Sequence, residues 1–361
     1  MTREKNRNIL NQPTNQPTNQ PTNQPTNRNS LLNFFKGIGC ISVVFIHVCF
    51  PGITGIIVSK ISEYAVPVFF MTSGFFAHSK IGDGVEKNIR RIKRILKITW
   101  YSIFLYTTIT LCFRIKEFSI DEWLLQFFDW KQWVKILFIS DLDIILAGHL
   151  WFLPSLIYAY LVYIFIIRKK DYKYIYKMIP ILFSFRIIIS IVVTSLNLTW
   201  HLLGNFLVGA LPYFFLGNYI ANRLEDCRKL ENGILISASM LGALTAILFT
   251  VFSNTINLSE IGTIICAVSI FLMAANNPSV SINKNIERLG ESYSVYVYVL
   301  HILIGHVLGF FAQMAGWQNN VIYVWTRPII VVVISVIASV CVYHIIENIS
   351  KKYTQARKYT L

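Results

Sequence analysis

Charge is scarce in this chain. Only 14% of its 361 residues are Asp, Glu, Lys or Arg, against 54% hydrophobic, and the mean hydropathy is +0.52. A soluble chain of this length would fold as two or three charged-surface domains, and the composition excludes that class. Acidic residues are scarcer still, 18 against 33 basic ones, for a formal net charge of +15. The six cysteines (Cys40, Cys49, Cys112, Cys227, Cys266, Cys341) lack a C-x-x-C pair or any other metal-ligand spacing and fall mostly in apolar runs, so they read as small packing residues. No cleavable leader is expected, because the first apolar run starts beyond residue 30 without a small-residue cleavage site and is read as an anchor. Half-to-half similarity, the mark of inverted-repeat transporters, is also missing.

What is present is a succession of apolar runs, each of the ~20 residues that a helix needs to cross a bilayer. Ten are read, at 31–50, 56–77, 95–114, 150–167, 177–196, 202–221, 232–253, 256–275, 291–312 and 322–346. Strands are excluded, because an open sheet edge in lipid leaves backbone groups unpaired. The expected fold is therefore an all-α, polytopic bundle of about ten transmembrane helices. Ten spans divide the connections into two alternating sets. One holds 25 Lys and Arg, the other only Lys116, Lys131 and Lys135. The positive-inside rule places the first set, with both termini, in the cytoplasm. The net charge is thereby explained as topology, and a nucleic-acid partner is not expected, since the basic residues are split among separate loops. Three regions follow: a disordered cytoplasmic tail over 1–30, a membrane domain over 31–346 and a short cytoplasmic tail over 347–361.

Residues 11–26 are four perfect copies of Asn-Gln-Pro-Thr, too polar to bury a core. The tetranucleotide AACC, repeated, reads AAC-CAA-CCA-ACC and encodes this unit, so slippage by one repeat would shift the frame and switch expression off. Mixed synonymous codons across the repeats would sink that idea.

Within the spans, ionisable residues single themselves out, because the bilayer makes them costly. Lys36 and His47 are eleven residues apart, about three turns plus 20°, hence on one helix face and separated by about 16 Å. Lys36 falls near the cytoplasmic boundary and His47 near mid-membrane. Val66 to Gly74 carries a proline and a Ser73-Gly74 pair that permits close helix approach. Arg91 and Arg94 share a face at the start of the third span, where they serve either as a topology signal or as a dock for phosphates, which guanidinium groups bind bidentately. His149 to Pro154 opens the fourth span. His301 lies about ten residues into the ninth, and Arg186 mid-way along the fifth, where it needs a partner inside the bundle. The loop 115–149 carries Phe118, Trp123, Phe127, Phe128, Trp130 and Trp133, suited either to sugar rings or to an interfacial helix.

In this order the pieces resemble the acyltransferase 3 family of bacterial membrane-bound O-acyltransferases. The motifs are Lys36-x10-His47, Val-Pro-Val-Phe-Phe-x-x-Ser-Gly (Val66 to Gly74), Arg91-x-x-Arg94, His-Leu-Trp-Phe-Leu-Pro (His149 to Pro154), Pro-Tyr-Phe-Phe-Leu-Gly (Pro212 to Gly217) and Tyr-Ser-Val-Tyr-Val-Tyr-Val-Leu-His (Tyr293 to His301). Each alone is weak; together they cover nearly the whole chain from residue 31. Two departures stand out: Lys36 replaces the commoner arginine, keeping the charge without the fork, and the hydrolase-like extracytoplasmic domain that some members carry at the C-terminus is not expected. The resemblance implies acetyl transfer from acetyl-coenzyme A, as substrate and not as a bound cofactor, to a hydroxyl of a surface carbohydrate such as lipopolysaccharide, O-antigen or capsule, in the bacterial inner membrane. Donor phosphates would meet Arg91 and Arg94. His47 would act as base or acetyl carrier, and Lys36 would either orient the donor or stabilise developing negative charge. Ser73, Gly74, Trp151 and His301 would support them, without a metal. The competing class is a transporter, flippase or polymerase of lipid-linked glycans, and a non-enzymatic scaffold is a third.

Overall fold

The computed structural model describes residues 29–78, 84–116, 119–169, 172–252 and 257–359. The repeats and Phe118 lie outside them. The described residues form helices joined by turns, with no strand among them. Among the described residues, nine helical segments are long and apolar enough to cross a membrane: Ser30–His47, Gly52–Ala77, Gly84–Ile115, Gly148–Arg168, Tyr174–Ser195, Asn232–Phe252, Ser259–Asn276, Lys284–Met314 and Val321–Lys352. The polytopic all-α architecture expected from the apolar runs is present.

The helices used below are α1 (Ser30–His47), α2 (Gly52–Ser62), α3 (Ala65–Ala77), α4 (Gly84–Lys116), α5 (Ile120–Phe128), α6 (Phe152–Arg168), α7 (Tyr172–Ser195), α8 (Leu211–Asn222), α9 (Asn232–Phe252), α10 (Ser259–Asn276), α11 (Ser294–Met314) and α12 (Val321–Tyr359). Three differ from the expected runs for local reasons. α1 stops at His47 instead of 50, where Pro51 and a left-handed Gly52 (φ 62°) turn the chain. The second span is two helices, broken at Glu63 and Tyr64. Pro67 has no N–H to donate and its ring opposes the carbonyl four residues back, that of Glu63. The run at 202–221 becomes a five-residue π turn, Phe206–Ala210, followed by the twelve-residue α8, short of the ~20 residues of a full crossing. At the other extreme α12 does not stop at 346 but continues to Tyr359.

Capping and small residues set how these helices meet. Asn29 accepts the Leu32 N–H (2.8 Å) as N-cap of α1 and donates to the Ala274 carbonyl (3.0 Å), tying the start of α1 to the end of α10. Gly74 and Gly217 bring α3 and α8 into backbone contact. A Cβ at Gly74 would come within 1.8 Å of the Phe214 carbonyl, and one at Gly217 within 2.0 Å of that of Met71. Around this crossing lie the fully buried Phe70, Tyr163, Phe214, Phe215 and Phe271.

Arg186 finds its partner in Glu260: Nε to Oε1 is 2.7 Å, a second guanidinium N–H donates to the Val208 carbonyl (3.0 Å), and the Tyr213 hydroxyl donates to Glu260 (3.2 Å). Buried charges in a bundle interior are tolerated when they are paired and hydrogen-bonded in this way. The aromatic loop divides. Trp123 is buried and pins α5 by donating to the Ile144 carbonyl (2.7 Å), whereas Phe128 and Trp130 stand exposed.

Candidate active site

Three histidines far apart in the chain meet at one point. His47 ends α1, His149 lies in the 3-10 turn Gly148–Trp151, and His301 faces them from α11. Their ring centroids are 5.3 Å apart for His47 and His301, 5.2 Å for His149 and His301, and 6.2 Å for His47 and His149. His301 is fully enclosed and His149 nearly so, while His47 keeps an open face.

Hydrogen bonds fix how the rings present themselves. Nδ1 of His301 donates to the carbonyls of Tyr298 (2.8 Å) and Val297 (3.1 Å), so its proton sits there, and Nε2, buried and unbonded, carries a lone pair. Both ring nitrogens of His149 lack a well-formed partner, an arrangement that a buried polar side chain rarely adopts without a functional reason. Two tyrosines hold the backbone around them. The Tyr298 hydroxyl donates to the His149 carbonyl. The Tyr106 hydroxyl, from α4, donates to the Val299 carbonyl (2.8 Å) and accepts the Leu303 N–H (3.2 Å). It is thereby inserted into a rung of the α11 ladder, two residues from His301.

At the start of α1 lies the basic group. Lys36 is half-buried, within electrostatic reach of Glu291 and Arg94. Arg91 donates to the Asn88 Oδ1 (2.7 Å), whose amide in turn donates to the Ala77 carbonyl (3.1 Å), so α4 is held against the end of α3. Arg91 also lies near Tyr160, whose hydroxyl donates to the Ser73 carbonyl (3.3 Å). Between the basic group and the histidines is an apolar cavity of about 100 Å³ lined by Cys40, Val43, Phe69, Phe152, Ser294 and Tyr298, among others. Cys40 is one turn beyond Lys36, Val43 one turn before His47, and Tyr298 touches His149 and His301.

Of the residues singled out in the sequence, Lys36 lies within electrostatic reach of Arg94, Arg91 lies near Tyr160, and His47 meets His301; the cavity falls between Lys36 and His47 along α1 and is lined by none of the five. The Ser73 hydroxyl donates back to the Phe69 carbonyl (2.9 Å), and Gly74 serves the α3–α8 contact. Trp151 packs on Phe70 (5.9 Å) and Trp200 (6.3 Å), away from the histidine rings. His149, Tyr106 and Tyr298 were not foreseen as site residues. His149 had a signal, as the first residue of the His-Leu-Trp-Phe-Leu-Pro motif, whereas Tyr106 had none, since nothing in α4 announces its contact with α11.

A second polar group lies at 141–201. The His201 Nε2 is 2.9 Å from Asp143 and 3.8 Å from Asp141, and the three residues bring ligand-type atoms within 4.8 Å of one another. Burial opposes a charge on His201, but the Asp143 hydrogen bond and the negative charges of both aspartates outweigh it and raise its pKa above the ordinary histidine value.

A family model described as an acyltransferase domain matches residues 29–344. The chain belongs to the acyltransferase 3 family. The chain also matches, over residues 8–31, a model described as a PT disordered repeat. Among curated proteins, an amino-acid racemase of Enterococcus faecalis is 27% identical to this chain over 219 residues, which take in 55% of this chain and 29% of the racemase. The chain thus spans under a third of the length of that relative. No solved structure matches it.

Proposed function

We propose that this acyltransferase is a multi-pass O-acetyltransferase of the bacterial inner membrane, moving acetyl from acetyl-coenzyme A to a hydroxyl of a surface carbohydrate such as lipopolysaccharide, O-antigen or capsule. The single observation that carries this reading is the meeting of His47, His149 and His301 at one end of α1, with Lys36 and Arg94 within electrostatic reach of each other at its other end. Coenzyme A has a charged, phosphate-bearing end and a long, largely uncharged arm ending in the thioester. That polarity matches guanidinium and ammonium groups at one end and imidazoles about 16 Å away along α1. The basic loops put the donor on the cytoplasmic side under the positive-inside rule.

Chemistry at the imidazoles follows one of two balanced routes. As general base, a ring nitrogen takes the acceptor hydroxyl proton while that oxygen attacks the thioester carbonyl; the C–S bond breaks and the thiolate recovers the proton from the imidazolium. As nucleophile, the ring nitrogen attacks first, giving an acetyl-imidazole and free thiol, and the acceptor hydroxyl then displaces the histidine. In both routes the His301 Nε2 lone pair is ready to receive a proton. The slippage-prone repeat suits an enzyme that alters a surface exposed to a host, and expression of this one is proposed to be phase-variable.

Mass spectrometry of surface glycans from cells with and without the gene tests the reading. Loss of one acetyl-sized mass per repeat unit is expected, whereas loss of whole glycan chains would point to a flippase or polymerase. His47→Ala should abolish the acetyl increment with membrane insertion intact, and retained acetylation would remove His47 from the chemistry.

A further inference from the structure

A second cavity, about 340 Å³, opens where α1 ends. Cys49 and Phe50 on its rim follow His47 by two and three residues, Ser59, Lys60 and Glu63 line it from α2, and Thr250 closes it from α9. It lies toward the end of the bundle opposite Asn29 and Pro278, away from Lys36 and the two arginines. None of its polar residues takes part in the chemistry above.

Its floor is charged yet balanced. Lys60 Nζ is 2.6 Å from Glu63, and that pair lies within electrostatic reach of Arg186 and Glu260. Lys60 and Glu63, the charged side chains that line the cavity, are thus engaged with each other, which leaves little net field to select an anion such as a phosphate, or a cation. Glu63 is nevertheless not spent on Lys60: 37% of its side chain is free, and the helix break imposed by Pro67 puts it at the cavity instead of inside a continuous helix. Fixed charge-paired donors and acceptors, with Ser59 and Thr250 hydroxyls, suit a neutral molecule rich in hydroxyl groups. Phe50, held by tilted contacts with Phe45 (5.4 Å) and Trp325 (6.4 Å), lines the cavity and adds an apolar wall for the C–H face of a sugar ring. The volume is at the lower end of the roughly 300–1,000 Å³ typical of ligand pockets, enough for one ring and not for a chain.

We infer that this cavity is the acceptor subsite, holding one uncharged sugar ring of the glycan beside His47. As an acceptor subsite it rests on the acetyltransferase reading; as a sugar site it stands separately. Cys49, exposed and unpaired in a disulfide, provides a direct probe. The full chain in nanodiscs is treated with a small water-soluble thiol reagent, and Cys49 and Cys341 alkylation rates are read by peptide mass spectrometry with and without methyl glycosides of glucose, galactose, mannose and rhamnose. At least one glycoside is expected to slow Cys49 severalfold and leave Cys341 unchanged. In acetyl-transfer assays Glu63→Gln and Ser59→Ala should each raise the acceptor KM about tenfold, with the acetyl-coenzyme A KM unaltered. Unprotected Cys49 with all four sugars, or acceptor KM values unmoved in both variants, would overturn the inference. Sugar protection of Cys49 in a chain that adds no acetyl to any glycan would leave the sugar site standing and sink the acetyltransferase reading instead.

Discussion

Replacing His149 by phenylalanine separates packing from chemistry in the histidine cluster. The phenyl ring keeps the planar shape that packs on Tyr106 (5.1 Å), Tyr298 (5.7 Å) and His301 (5.2 Å) but lacks both ring nitrogens. The Tyr298 hydrogen bond goes to the backbone carbonyl and survives the change. If His149 is only filler, activity per inserted molecule should stay within a factor of about three, since the under ~1.5 kcal/mol that a shape-conserving swap costs falls on stability, and neither nitrogen makes a well-formed bond that would be lost. If it carries or relays a proton, the loss is that of general acid–base catalysis, about 10²–10⁴ in rate. The lower bound corresponds to about 2.7 kcal/mol in the barrier. The assay is transfer of radiolabelled acetyl from acetyl-coenzyme A to glycan in inverted membrane vesicles, normalised to the amount of inserted protein. We expect His149→Phe to fall by at least a hundredfold in kcat at little-changed acetyl-coenzyme A KM. A variant within threefold of wild type would refute a chemical role and leave His149 as packing.

Further perturbations test other parts of the argument. Arg91→Gln with Arg94→Gln should raise the KM for acetyl-coenzyme A at least tenfold and barely move kcat, measured in the same vesicles; an unchanged KM would return both residues to the role of topology signals. Arg186→Met strands the Glu260 carboxylate, only 8% exposed, and should destabilise the bundle by about 3–5 kcal/mol, seen as loss of monodisperse protein on heating in detergent; Arg186→Met with Glu260→Leu should recover most of it, because no unpaired charge remains. The raised His201 pKa means its ion pair with Asp143 contributes fully below the ordinary histidine value and is lost as pH rises through the folded value. Hydrogen-exchange protection of 141–149 and 199–205 should therefore fall with rising pH beyond the intrinsic rate effect, and His201→Gln should flatten that dependence.

Much of the architecture was legible because lipid imposes it residue by residue. Apolar runs of crossing length, each with its backbone bonds closed internally, mark the helices without reference to neighbours, and single ionisable residues such as Lys36, His47, Arg186 and His301 stand out against them. The motif order pointed to the family, and the spacing of Lys36 and His47 set their separation, because both are properties of one helix. Breaks were harder to foresee. The interruption at Glu63 is dictated by Pro67 and was local, whereas α8 falls short of a full crossing in its π turn. What only the tertiary structure decided was company. Glu260 as the partner of Arg186, His149 beside His301, and Tyr106 inside the α11 ladder all join residues scores or hundreds of positions apart. Such pairings depend on which helix faces pack together, through contacts like Gly74 against Phe214, and the pattern along any one helix is silent about which other helix will face it.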